Sequence, residues 1–407
     1  MEINMELGPI WRAILRNKGG FLLIALQIAV TMAIMVNAIA IMQERATQMA
    51  RPTGMDEANI FVYSGTTFVP DIDKKNVITE DLEMIRNYPG VVDAIATNSY
   101  PLRDGGSSRG LQLQPGAGED SIPTAIYYVD EHAIDTLGTQ LIEGENFAPN
   151  QVVWNDPELN TSPPTGVISK ALADALFPDA TDSIVGKTVY MNNDDPVEII
   201  GVVERLQAAW KGWESVEQSM LVPLRLDSDR MHYVVRTEPG SRERLMPEIE
   251  DMLAQSNKNR IIENMRTMDE VRHRAYLGDS GMIKMLSFIV VLLTGITGFG
   301  IVGLASFSVS RRTRQIGVRR ALGASKPAIL RYFMIENFIV SSVGIIAGAI
   351  LAIGLNMFMV QAFSLTPLSW YVIPLAMLIL WIVGQAAVAG PARRASNITP
   401  AIATRSI

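Results

Sequence analysis

Side chains that could carry acid–base or metal chemistry are few and scattered. The three histidines are His132, His232 and His273. None has a metal-like spacing to another histidine or to a carboxylate, so they read as surface or half-buried residues. Gly186-Lys187-Thr188 has the look of the tail of a phosphate loop. The glycine such a loop needs five positions before Gly186 is missing, because residue 181 is Thr, and the tripeptide precedes a strand. No catalytic set and no metal site emerge. With no phosphate loop, the chain is not expected to bind and hydrolyse ATP in the usual way. Two features remain. Glu336 stands inside a long apolar run, where an ionisable group is a functional candidate by default. Its alternative is a structural role near Arg331 and the Arg319–Arg320 stretch, and that role is the favoured one. The other feature is the basic run from Arg311 to Lys326.

The elements that must position these groups are membrane helices. About 20 apolar residues span the hydrocarbon. Four stretches qualify: 19–42, 282–309, 328–360 and 370–390. In the first, only Gln27, Thr31 and Asn37 are polar. Its basic start and its Ala38-Ile39-Ala40 resemble a cleavable signal, but the apolar run is longer than a signal core, so a retained anchor is expected. Residues 1–18 include Ile10, Trp11, Ile14 and Leu15 on one helical side and Arg12 and Arg16 on another, as in a helix lying in the membrane interface.

Charge divides the chain in the same way. Residues 43–281 carry a net charge of −18 and the remainder +11, together the −7 of the whole chain. Lys and Arg flank the short loops on one side only, and the 361–369 loop has none. Both termini, the 310–327 segment and the 391–407 tail are therefore expected in the cytoplasm, with 43–281 outside. The basic residues hug membrane segments, which favours lipid rather than nucleic acid as their partner. The absence of cysteine excludes a disulfide-stapled outer fold.

The outer segment reads as α+β in two lobes. Strands are expected over 59–63, 91–99, 122–129, 219–224 and 232–237, with a hairpin of 186–191 and 197–203. Helices are expected from an N-cap at Thr79 to Asn87, over 169–177 and over 241–255. Long breaks fall at 105–118 and 155–164. Strand–helix–strand elements lie near both ends and the hairpin lies in the middle, so one lobe is expected to be inserted in the other. Residues 44–51 and 265–278 are expected to extend the flanking spans as a helical stalk.

Within the basic run, Ile316, Gly317, Val318, Ala321, Leu322 and Gly323 are interleaved with Arg314, Gln315, Arg319 and Arg320, and Ala324-Ser325-Lys326-Pro327 starts a new helix. A lipid-headgroup anchor would need only the charge. The mixture also suits a short helix that docks in a partner's groove. Gly295, Gly298, Gly300 and Gly303 in the second span, and Gly344-x-x-x-Gly348 in the third, permit close helix approach, within one subunit or across a dimer.

The run Arg314-Gln-Ile-Gly-Val-Arg-Arg-Ala-Leu-Gly-Ala-Ser325 resembles the signature of FtsX-like ABC-transporter permeases, most closely the MacB branch, with Gln315 where that family usually has Glu. Phe333-Met-Ile-Glu-Asn337, Gly344, Gly348 and Pro391-Ala-Arg-Arg-Ala-Ser-Asn-Ile-Thr-Pro400 resemble it too. So do Leu141–Phe147, Gly166–Ser169, Ile200–Val203 and Leu221–Pro223 in the outer segment.

The resemblance implies a membrane protein of four transmembrane α-helices with a large α+β periplasmic domain between helices 1 and 2, in a bacterial inner membrane. It implies that 313–325 couples to a separate ATPase, which carries the ATP and Mg²⁺. It further implies pairing with a second permease subunit, identical or related. A periplasmic membrane-fusion adaptor and an outer-membrane channel are further partners it raises. The expected work is efflux or extrusion from the periplasm or outer leaflet. The alternatives are an FtsX-like relay that activates a cell-wall hydrolase and Lol-type lipoprotein extraction, with a membrane-tethered enzyme last.

Overall fold

The computed structural model describes residues 18–69, 72–155, 163–363 and 368–399. The interfacial helix expected before Lys18 lies outside the described residues. The chain divides into two compact units. One comprises residues 50–277, and the other is the helices on either side of them in sequence. The first of those helices, α1, runs Lys18–Met49. It continues past the apolar run to Met49, as expected of a helical extension over 44–51, because Gln43, Glu44 and Arg45 end the apolar run without breaking a helix.

The inserted unit begins β1 (Ile60–Thr67), α2 (Lys74–Arg86), β2 (Val91–Thr97), β3 (Ser107–Gln112), β4 (Ile122–Val129), α3 (Ala133–Leu137) and β5 (Leu141–Gly144). It continues with β6 (Val153–Trp154), β7 (Thr165–Ser169), α4 (Lys170–Leu176), β8 (Thr188–Met191), β9 (Asp195–Val203) and β10 (Ser219–Arg225). It ends with β11 (Arg230–Thr237), α5 (Arg242–Ser256), β12 (Arg260–Thr267) and α6 (Met268–Ala275). The outer strands form a four-stranded antiparallel sheet in the order β12-β1-β11-β2. Each half is strand–helix–strand, and the two halves interleave as a split βαβ pattern. Phe61, Tyr63, Leu82, Ile85, Leu245 and Ile249 fill the space between this sheet and helices α2 and α5.

The second lobe, residues 107–225, is inserted between β2 and β11. Its strands follow the order β4-β3-β8-β9-β7-β10, and a β4–β10 pairing closes that path into a six-strand ring. Closure removes the exposed edges that invite aggregation. Leu111, Ile126, Ile168, Val189, Val197 and Met220 are fully buried in its core. The two-lobed, inserted arrangement is the one expected from the sequence. An ionic network ties the lobes together: Asp130 accepts from Arg86 of α2 at 2.8 Å and from Arg225 of β10 at 3.2 Å. His132, expected to be isolated, pairs with Asp93 at 2.8 Å beside that network.

Local boundaries depart from expectation for identifiable reasons. Helix α2 is capped six residues before Thr79, by Asp73, whose carboxylate accepts from the Asn76 N–H at 3.1 Å. Such a cap contributes about 1 kcal/mol. Thr79 sits inside the helix and donates to the Lys75 carbonyl. The expected break at 105–118 contains β3, whose Ser-Ser-Arg-Gly start hides it; β4 and β8 pair with it on both sides. Residues 265–267 belong to β12 rather than to a helical stalk. The helix starts only after Thr267, where Thr267 and Glu270 form a reciprocal capping box. Residues 156–162 of the other expected break lie outside the described residues.

The chain enters and leaves this unit through one anchored point. Arg272 donates to both Glu57 oxygens, at 2.9 and 2.5 Å, and to the Arg51 carbonyl at 3.0 Å. Burial pushes the Glu57 carboxyl up, but the hydrogen bonds from Arg272 and Thr53 outweigh it and hold it below the usual range.

The remaining helices are α7 (Leu277–Arg311), α8 (Thr313–Ala321), α9 (Lys326–Phe363) and α10 (Val372–Ser396). With α1, α7, α9 and α10 give four helices, among the described residues, long and apolar enough to cross a membrane. Helices α1, α7 and α9 overshoot their expected apolar bounds at both ends, whereas α10 starts two residues after 370 and runs on past 390 to Ser396. The polar residues of α1 join its neighbours. Gln27 donates to the Ile296 carbonyl at 3.1 Å, Thr31 meets Thr297 at 2.8 Å, and Asn37 donates to the Ala352 carbonyl at 3.3 Å. At the end of α1, Arg45 pairs with Asp279 of α7 at 3.3 Å.

The most extensive helix contact is that of α1 with α9. A Cβ added to Gly344 would lie 2.8 Å from the Ala25 carbonyl oxygen, and one added to Gly348 would lie 2.6 Å from Met32 Cβ. The Gly344–Gly348 pair therefore packs within the subunit. Replacing Gly348 with Val is expected to destabilise the protein by about 1–3 kcal/mol through overpacking. Gly354→Val, where a Cβ meets nothing within 4 Å, should leave stability unchanged. Thermal unfolding in detergent checks both.

Candidate functional site: the segment between the second and third spans

The segment from Arg311 to Lys326 is built by ordinary helix chemistry. Its arginines are good helix formers and it holds no internal proline, so α8 forms directly after α7. Gly323 ends it. Its φ of +97° is left-handed backbone, open to glycine and strained for other residues. The Ala324 N–H then donates to the Arg319 carbonyl at 3.0 Å, satisfying the helix end. Ser325 restarts the chain by accepting from the Ala328 N–H, with Pro327 in the first turn of α9.

One face of this helix is fixed to the bundle. Ile316 is buried against Val309, Ile329, Phe333, Ala392 and Ala395, and Gly317 is buried beside it. Arg319 lies over the Tyr332 ring, 5.1 Å from its centre. Arg320 is half-buried and donates to the Ala324 carbonyl at 2.8 Å. Just before α8, Arg312 donates to both oxygens of Glu336, at 3.0 and 2.8 Å. Both side chains of that pair are largely buried. Glu336 is thus an internal tie between the end of α7 and α9. That is the structural role expected of it, and the turn from α7 into α8 supplies Arg312 as a partner by pointing it back at the bundle.

The other face is open. Leu322 is 83% exposed and Val318 50% exposed, one turn apart. Arg314, Gln315, Arg319, Ala321, Gly323 and Ser325 are exposed around them, and Ala324 is half-buried. A large leucine in that position has no packing role within the subunit, and arginines fringe it. The ridge is apolar in the middle and basic at the rim, the composition of a docking surface.

The second-span glycines divide. Gly300 faces the Gln27 side chain and Gly298 faces Val383 at 3.7 Å, whereas a Cβ on Gly295 or Gly303 would meet nothing within 4 Å. Helix α7 also exposes Phe288, Val291 and Phe299, as a lipid-facing or partner-facing helix does. Among the described residues no cluster of three or more His, Asp or Glu could hold a metal ion.

These features define a class: a four-span membrane protein with a two-lobed inserted domain and a basic, half-exposed helix between its second and third spans. The family model described as MacB-like periplasmic core domain matches residues 21–252, and that for the FtsX-like permease C-terminal region matches 287–400. The chain belongs to the MacB/FtsX-like family of ABC-transporter permeases. It is 26% identical over 351 residues to the ABC transporter permease YknZ of Bacillus subtilis (strain 168), covering 83% of this chain and 81% of YknZ. It is 26% identical over 282 residues to the macrolide export ATP-binding/permease protein MacB of Shewanella sp. (strain ANA-3), covering 66% of this chain. It spans only 41% of that MacB's length. The periplasmic region of MacB from Actinobacillus actinomycetemcomitans aligns with 56% of this chain and 97% of its own, at a TM-score of 0.34 and 16% identity.

The Arg312–Glu336 tie yields an expected outcome. Arg312→Ala and Glu336→Ala should each cost about 2 kcal/mol, because each leaves a desolvated charge behind. An Arg312→Leu/Glu336→Leu double variant should lose less than the sum of the two. Thermal unfolding of the three proteins in detergent measures the difference.

Proposed function

We propose that this permease transmits the motion of a separate ATP-hydrolysing subunit to its inserted domain on the far side of the membrane, with residues 313–325 as the docking segment. The observation that supports this most directly is the pair of faces on α8. Ile316 and the Arg312–Glu336 pair hold one face, so force applied to the other would pass into the bundle rather than bend a loose loop. Val318 and Leu322 offer the other face to a groove, with Arg314 and Arg319 positioned for acidic groups at its rim. ATP and Mg²⁺ would be held by the partner, and the permease chain would hold neither.

The same reading places both termini and the 310–327 segment in the cytoplasm, where ATP is, and the inserted domain outside. The basic residues at the short loops support that orientation. A second permease subunit would complete the assembly, identical or related, with Gly295, Gly303 and the exposed face of α7 available to it. The transported or extruded material would be taken from the periplasm or outer leaflet. MacB relatives bear names for macrolide export, which makes efflux the reading favoured here. An adaptor and an outer-membrane channel would serve that route.

Leu322→Asp places a charge at the centre of the ridge without touching the buried face. It should lower ATP hydrolysis by the co-assembled ATPase about ten-fold or more while leaving membrane insertion intact. Gly323 is a poorer probe, since any side chain there strains the turn. Full hydrolysis by the Leu322→Asp assembly would remove the docking role.

A further inference from the structure

Residues 43–281 are strongly acidic overall, with a net charge of −18, yet one cavity in the inserted domain has the opposite sign. It has a volume of about 230 Å³ and lies between the loop after β2, the loop before Lys211, the end of β12 and helix α6. Arg103, Arg266 and Arg274 line it, with Asp104 the single lining carboxylate. Lys211 lines it too and donates to the Ala275 carbonyl.

The three arginines are held without carboxylate partners among the described residues. Arg103 donates to the Gly105 carbonyl at 2.9 Å and Arg266 to Asn264. Elsewhere in this domain Arg86, Arg225, Arg236, Arg242, Arg260 and Arg272 all have acidic partners. Cations left unmatched in an acidic domain raise the local potential. Next to the cavity, burial first and then the charges of Arg103 and Arg230 push the His232 imidazole down to about 3. That ring packs edge-on against Tyr100, which lines the cavity, at 6.1 Å.

The loop that carries Arg103 is also strained. Leu102 and Asp104, on either side of it, have φ of +67° and +64°. Left-handed backbone is unfavourable for residues other than glycine, and strain of this kind persists where the surroundings enforce it. Here the Asp104 N–H donates to the Ala209 carbonyl at 3.0 Å, and Ser99 donates to the Gly105 carbonyl. The loop is thereby pinned with Arg103 against the cavity.

We propose that this cavity binds a phosphate-bearing anion, with Arg103, Arg266 and Arg274 as its charge partners. Three guanidinium groups against one carboxylate leave a surplus that a dianion matches better than a single carboxylate does. Guanidinium forks suit phosphate oxygens. Leu102, Ala209 and Val271 add apolar wall for a hydrocarbon portion, so the phosphate could belong to a lipid headgroup as well as to a free ion.

The test uses the full-length protein in a neutral maltoside detergent, titrated calorimetrically with inorganic phosphate and with dihexanoyl phosphatidic acid. Saturable binding of either probe is expected. Preference for the phosphatidate identifies a lipid headgroup, and equal affinity identifies free phosphate. An Arg103→Gln/Arg274→Gln variant should bind about ten-fold or more weakly. Asp104→Asn should bind more tightly, a direction that misfolding does not produce, and Arg103→Lys should retain most of the affinity. Arg109→Gln, an exposed arginine outside the cavity, should bind as the parent does. No saturable binding of either probe overturns the proposal. So does affinity that survives the double substitution, or that falls equally in Arg109→Gln.

Discussion

The membrane unit depends on the backbone contact between α1 and α9. In a bilayer, lipid tails are as apolar as leucine, so helices do not associate by hiding hydrocarbon from water. They associate through close packing and hydrogen bonds that cannot be made to lipid. Gly344 and Gly348 remove side chains from α9 where α1 crosses it, and Ala25, Ala29 and Met32 fill the groove. The close approach brings Asn37 within reach of the Ala352 carbonyl. Helix α9 also receives α10, through Asn337 to the Gly384 carbonyl at 3.0 Å and Trp381 to Ser342 at 3.1 Å. It receives α8 through Glu336 and Phe333. Every other helix of the unit is therefore referred, directly or through α1, to α9.

That arrangement gives the proposed lever a physical basis. Motion delivered to the exposed face of α8 would enter α9 through an ion pair and an apolar cluster, both short and largely buried. From α9 it would pass to α1 through the glycine contact, and α1 is covalently continuous with the inserted domain. Within that domain, the bidentate Arg272–Glu57 pair fastens the last helix to the first segment. The chain thus enters and leaves at one anchored point. The two lobes beyond it are joined by the Asp130 network, so the domain has the internal ties that a transmitted displacement would need.

Much of this was legible in the sequence because its signals are local. Apolar runs marked the four spans. Thr31 and Gln27 stood out as polar residues in lipid, and they proved to be interhelical links. Ala324-Ser325-Lys326-Pro327 marked the restart of a helix. The inserted lobe was visible as strand–helix–strand pattern at both ends of the domain. What was hidden depends on distant partners. Strand β3 has a polar, glycine-containing sequence and is a strand only because β4 and β8 pair with it. His132 looked isolated because Asp93 is far away in the chain. Arg312 looked like one more loop cation, since only the turn after α7 aims it at Glu336. Gly344 and Gly295 looked alike, and only packing shows that the first is filled by α1 and the second is open. The basic cavity was invisible for the same reason, its arginines coming from three separate segments of an acidic domain.

The exposed ridge of α8 is the proposed meeting point with an ATPase. Leu322 is 83% exposed, so a photocrosslinking amino acid can be placed there with little disturbance. Introduced at Leu322 in living cells, it should give an adduct with an ATP-binding polypeptide, identified by mass spectrometry. The same group at Ile316, which is buried against the bundle, should give none. An ATPase adduct from Ile316 but not Leu322, or none from either with the ATPase co-expressed, would contradict the account.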